Sequence, residues 1–174
     1  MKPFPSIPRV ETAPDVLEGH LWLLEKVDGA NFRFQLRDTG LLRFGTRGKV
    51  YDDPAAVPEP YQHAVRHVRE ELDRTALRAA VEDVESIVFF GEAMHHHTID
   101  YDWEQTPSFL GFDIWSAQDE AFRPPGAVQA IFERLGLQPV RAVQKELPAR
   151  DFDPDSFAIP RSAYYDGPAE GVVI

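Results

Sequence analysis

The chain contains no cysteine, so it has no disulfide partner and no thiolate metal site. Lysine is scarce: Lys2, Lys26, Lys49 and Lys145 are all there is, and arginine supplies the remaining cations. No apolar run approaches the roughly 18–20 residues that a bilayer span requires. The opening MKPFPSIPRV has no apolar centre of the signal-peptide kind. These absences lead us to expect a soluble, cytoplasmic chain with no membrane partner. Positive charge is short as well: 18 basic side chains face 29 acidic ones, a net −11. An acidic, lysine-poor surface suits the cytoplasm of a salt-loving organism. Its sign also opposes general nucleic-acid binding, since phosphate affinity comes from cations.

The 174 residues suit one domain with a real core, and we expect a single domain over 1–174. Charge is unevenly placed. From Lys26 to Lys49 six cations (Lys26, Arg33, Arg37, Arg43, Arg47, Lys49) meet two anions (Asp28, Asp38), a local +4 against −15 over the remainder. One phosphate-binding face on an acidic body fits that pattern, and so does a solvated hairpin with arginines outward. Three strands are expected near 20–27, 31–37 and 41–47, with turns at Asp28-Gly29 and Asp38-Thr39-Gly40. Asp-Gly between alternating apolar residues predicts a hairpin, and the three together an antiparallel meander. After a proline-marked loop, apolar residues from Tyr61 to Val84 recur at helical spacing and predict one helix over 60–84. Ser86–Glu92 and Ser108–Trp115 read as buried strands. A helix over 125–135, a strand over 137–144 and an apolar close at 170–174 complete an α+β chain.

Lys26 stands out at the end of the apolar run HLWLLEKV, where a charge costs free energy without a partner or a task. A lysine so placed loses its proton more readily and becomes a nucleophile. Strand alternation sets Asp28 on the same side. Two histidine groups invite metal readings. His63 and His67 lie four apart on the helix, without a third ligand in sight, and are expected to be an ordinary exposed pair. In His95-His96-His97, three consecutive residues rarely aim at one ion, so zinc is not expected there either.

Lys26-Val27-Asp28-Gly29 resembles the Lys-x-Asp-Gly nucleotidyl-acceptor motif of the covalent nucleotidyltransferases: ATP-dependent DNA ligases, RNA ligases and mRNA capping enzymes. Further elements of that family follow in order. Phe4–Arg9 (FPSIPR) resembles a segment that precedes the nucleophile strand in RNA ligases. Phe44-Gly45-Thr46-Arg47 resembles the Thr-Arg element, and Phe90-Gly91-Glu92 the third motif. His97-Thr98-Ile99-Asp100-Tyr101 and Phe109-Leu110-Gly111-Phe112-Asp113-Ile114 resemble the RNA-ligase pattern H-S/T-I-x-Y…F-x-x-F-D-I. Glu170-Gly171-Val172-Val173-Ile174 resembles the fourth motif. The family's next motif, a lysine pair that contacts the α-phosphate, would fall beyond Ile174, so a truncated piece is expected.

The resemblance implies an α+β nucleotidyltransferase (ATP-grasp-like) domain of antiparallel sheets flanked by helices. It implies an ATP-dependent RNA ligase that forms a lysine–AMP intermediate on Lys26 and seals RNA 5′-phosphate to 3′-hydroxyl ends. Glu25, Asn31, Arg47, Glu92 and Phe112 would bind nucleotide. Arg47 would contact phosphate, Glu92 the ribose and Phe112 the adenine face. Glu170 would work with Mg²⁺ (or Mn²⁺), which few carboxylates plus phosphates can hold. Phe112 and Asp113 are expected on opposite faces of one strand. The H-T-I-x-Y and F-D-I details favour an RNA ligase over a DNA ligase or capping enzyme. A truncated or non-catalytic nucleotide- or RNA-binding module is the competing expectation.

Overall fold

The computed structural model describes residues 1–95 and 98–174. His96 and His97 lie outside the described residues, and with them both the metal reading of the triplet and the position of His97 in the family pattern. The strands and helices are β1 (His20–Lys26), β2 (Ala30–Leu36), β3 (Leu42–Thr46), β4 (Val50–Tyr51), α1 (Gln62–Glu71), α2 (Arg74–Ala80), β5 (Ile87–Ala93), β6 (Phe109–Ser116), β7 (Ala121–Phe122), α3 (Pro125–Arg134), β8 (Ala142–Pro148) and β9 (Gly171–Val173). They form two compact units. One comprises Met1–Phe4 and Gly29–Pro139, the other Pro5–Asp28 and Val140–Ile174. No helix among the described residues is long and apolar enough to cross a membrane.

The larger unit is built on an antiparallel six-stranded sheet in the order β4-β3-β2-β5-β6-β7. Alternation sends Phe32, Phe34 and Leu36 of β2 to one face, where Phe44, Phe89, Phe109 and Phe132 join them. Val65 and Val68 of α1, Leu77 of α2, and Val128 and Phe132 of α3 close that core. Rings meet closely: Phe34 stacks on Phe89 at 4.8 Å and 7°. Each such buried side chain contributes about 1.5–3 kcal/mol relative to exposure. The smaller unit holds an antiparallel three-stranded sheet in the order β8-β1-β9.

The structure corrects several expectations. Asp28-Gly29 does not close a hairpin, because β1 has both edges occupied by β8 and β9, while β2 pairs with β3 and β5. The meander therefore holds only from β2 onward. Gly29 serves close approach instead, since a Cβ there would stand 2.9 Å from the carbonyl oxygen of Ala93. The expected long helix is two helices. Leu72 turns extended, and Asp73 caps α2 by accepting from the Ala76 amide at 2.8 Å. The strand expected over 137–144 begins at Ala142. Pro139 has no amide proton for a ladder, and this stretch makes only an isolated bridge, Gly111↔Pro139. The other strands and α3 lie within a residue or two of their expected ends.

Candidate functional site

The smaller unit carries Glu25, Lys26 and Glu170. Register explains how two of them meet. Leu24, Glu25 and Lys26 pair with Val173, Val172 and Gly171, so the residue before β9 lies next to the end of β1. Lys26 Nζ donates to Glu170 Oε1, with the two side chains 46% and 37% exposed. A half-exposed ion pair adds at most about 1 kcal/mol of stability. Its interest is chemical: an amine and a carboxylate from positions 144 apart are set side by side. We expected Asp28 on the same side of the chain as the amine; Glu170 is a carboxylate that pairs with Lys26.

Glu25 points to the opposite face of β1 and is 2% exposed. Its carboxylate accepts from Ser162 Oγ at 2.5 Å and from the Ala163 amide at 3.1 Å. Arg141 Nη1 stands 3.6 Å away. A buried carboxylate held by two hydrogen bonds and a cation is a satisfied charge, and Glu25's oxygens are committed within their own unit. The same Arg141 donates its amide to Tyr164 Oη at 2.9 Å, so Glu25 and Tyr164 together pin residues 162–164.

The larger unit carries Asn31, Arg47, Glu92 and Phe112. Asn31 and Glu92 are in-register partners across β2 and β5, and therefore share the sheet face turned away from the helices. Among the described residues, Asn31 Oδ1 is buried without a hydrogen-bond partner, a polar atom available for a ligand. Arg47 is exposed on the turn joining β3 to β4, closed by Thr46 N–H donating to Lys49 O at 2.9 Å. Half of the cations between Lys26 and Lys49 are paired, Lys26 with Glu170 among them. Arg43 pairs with Asp52 at 2.7 Å, and Arg37 lies 3.4 Å from Asp52 and 3.6 Å from Glu85. Among the described residues, Arg33, Arg47 and Lys49 of this stretch form no ion pair.

Phe112 sits at a β-bulge. Gly91 pairs with Gly111 and Phe90 with Asp113, which leaves Phe112 the extra residue. The bulge defeats the alternation expected of Phe112 and Asp113. Asp113 shares Phe90's face by pairing, and Phe4 touches both Phe90 (5.1 Å between ring centroids) and Phe112 (4.9 Å, edge-on). Asp113 is largely buried there, and that burial pushes its carboxyl up to about 7, against one hydrogen bond from the Ile114 amide. On α1, His63 is exposed, but His67 is half-buried and pushed down by that burial.

Three residues escaped the sequence reading. Phe4 was seen only as part of a short motif, yet it braces Phe112. Asp113 was placed on the wrong face because a bulge has no signature in alternation. Arg33 was counted as a surface cation, although it is 3% exposed. Its signal was available in Asn31, Arg33 and Gln35, which alternate with Phe32, Phe34 and Leu36.

Antiparallel sheets with few helices, and these residues set on strand ends and turns, define a nucleotidyltransferase fold of the RNA-ligase kind. The family model "RNA ligase" matches residues 19–174, and the chain belongs to that family. Solved structures agree on the fold. An archaeal ATP-dependent RNA ligase (form 2) superposes with a TM-score of 0.61 at 22% identity, covering 83% of this chain and 37% of that one. A Naegleria gruberi RNA ligase with PPi gives 0.70 at 15% identity, covering 99% of this chain and 51% of that one. A lysine-to-alanine mutant of the Naegleria enzyme with ATP and Mn gives 0.64 at 15% identity, covering 94% and 48%. The chain thus spans between about a third and a half of the length of these relatives. No curated protein matches it.

Proposed function

We propose that this chain carries the nucleotidyl-transfer chemistry of an ATP-dependent RNA ligase, with Lys26 as its nucleophile. The observation that carries this reading is the pairing of Lys26 with Glu170 across β1 and β9. Unprotonated Lys26 Nζ attacks the α-phosphorus of ATP in line. The N–P bond forms, the bond from the α-phosphorus to the bridging oxygen breaks, and pyrophosphate carries away the electron pair. AMP passes from Lys26 to an RNA 5′-phosphate. A 3′-hydroxyl then displaces AMP and joins the strands.

The attacking form of an amine is the unprotonated one, which nearby positive charge favours. Glu170 accepts from the amine and holds it in place. The same carboxylate would hold Mg²⁺ or Mn²⁺, directly or through water. It is half-exposed and belongs to no cluster of three or more metal-ligating side chains among the described residues. A single acid suits a cation that takes most of its ligands from phosphates and water. Such an ion, when bound, supplies positive charge to the phosphoryl oxygens. In the larger unit, Arg47 contacts phosphate, the Asn31–Glu92 pair the nucleoside, and Phe112 offers a ring face to adenine. Glu25 acts structurally, through residues 162–164.

Intact mass after incubation of the full gene product with ATP and Mg²⁺ tests the reading. An AMP-sized increment, absent from Lys26→Ala, is expected. No increment on the unsubstituted protein would sink catalysis and leave a nucleotide- or RNA-binding module.

A further inference from the structure

The least explained charge in the molecule is Arg33. It lies in mid-strand on β2, 3% exposed, where a guanidinium is costly to desolvate unless its donors are met by anions. Arg33 makes no ion pair among the described residues. Nη1 donates to the carbonyl oxygen of Thr46 at 2.7 Å, while Nε is buried with no hydrogen-bond partner. Burial lowers its pKa. A cation retained at that cost, for one neutral acceptor, does not earn its place through stability; a hydrophobic side chain of the same length would serve a core better.

Its surroundings show what it holds. Arg33 is in register with Gly45 of β3, and its side chain lies across that glycine. A Cβ at Gly45 would stand 2.8 Å from Arg33 Nε, 3.0 Å from Cγ and 3.1 Å from Cζ, so a side chain there would force the Arg33 side chain to shift. The next residue, Thr46, is held at both backbone groups. Its N–H donates to Lys49 O and its C=O accepts from Arg33. Thr46 is therefore the fixed post of the turn, and the residue that leaves it is Arg47.

We propose that Arg33 is a positioning residue: through the Thr46 carbonyl, and by way of the gap at Gly45, it sets the direction in which Arg47 meets the phosphates of the nucleotide. The proposal rests on the ligase reading above. An exposed arginine on a four-residue turn is conformationally free, and aiming it beforehand removes an ordering cost from binding. Arg33 touches no reacting atom; its effect passes through Arg47 alone.

That last statement is testable by a double-mutant cycle on lysine adenylation, read as KM for ATP and single-turnover rate. Arg33→Met keeps length and removes the donors. Gly45→Ala leaves Arg33 in the sequence but displaces it. Each should weaken adenylation about tenfold when Arg47 is present and less than twofold in an Arg47→Ala background. Losses that multiply in the double variants, or an Arg33→Met protein with unchanged kinetics, would overturn the proposal. If Arg33→Met fails to fold, Gly45→Ala carries the same cycle. An unsubstituted protein that forms no lysine–AMP removes the ligase reading, and this inference with it, before any variant is compared.

Discussion

The two units solve the problem of holding polar residues in different ways. In the larger one, Asn31, Glu92 and Phe112 stand on a six-stranded sheet whose other face is packed by phenylalanine rings and helices. Position there is inherited from the core: move a ring and the strand above it moves. In the smaller one, Glu25, Lys26 and Glu170 stand on three strands, and position is set by polar links, Glu25 to Ser162 and Ala163, and Lys26 to Glu170. The difference teaches where tolerance lies. Volume changes should damage the larger unit, and lost hydrogen bonds the smaller.

The largest expected effect is on the larger unit's core. Phe132 is fully buried against Phe89 and Phe109, and Phe132→Ala should cost about 3–5 kcal/mol in urea unfolding. A loss under about 1 kcal/mol would show that α3 is not part of what holds the sheet.

Asp113 comes next. Folded, its carboxyl keeps a proton up to about pH 7; unfolded, it releases it near the usual 3.8. The folded state thus binds the extra proton across that window, and stability falls as pH rises from about 4 through 7. Asp113→Asn should raise stability by up to about 4 kcal/mol at pH 8 and leave it nearly unchanged at pH 4, measured as unfolding midpoints. An equal gain at both pH values would mean that burial does not perturb this carboxyl.

Smaller still, Ser162→Ala removes a donor from the buried Glu25 carboxylate and should cost about 1–3 kcal/mol, with amide exchange rising at residues 162–164. Exchange spread evenly over the chain would contradict the local scaffold described here. The smallest effect is Glu170→Gln, which should change stability by less than about 1 kcal/mol while abolishing most adenylation. A large stability loss there would turn the Lys26 pair from a chemical device into a structural one.

Legibility in the sequence followed the same division. The β2–β3 hairpin joins strands that are neighbours in the chain, and its alternation and turn residues placed it closely; β5 and β6, which pair with each other, were legible as buried apolar runs. The helix pair was misread because Asp73 counts as one polar position in a periodic run, although it is a cap. The smaller sheet was invisible. Nothing near β1 announces that its partners are β8 and β9, and Asp28-Gly29 offers a false local partner. Of the candidate site, the candidate residues come from motif order, and register brings two of them, Lys26 and Glu170, together. The roles of Glu25, Arg33 and Phe4 depend on contacts that no spacing rule contains.

The order of strands has a consequence for how the protein is made. Gly29–Pro139 is one continuous stretch and can collapse as soon as it has emerged from the ribosome. β1 precedes it but must wait for β8 and then β9, closing a loop of 144 positions between Lys26 and Glu170. Until then β1 has two open edges, a hazard for a strand reading HLWLLEK. Lys26 therefore gains its carboxylate only after β9 has been made. A chain halted before that point holds the lysine without its partner, so synthesis of β9 times the pairing.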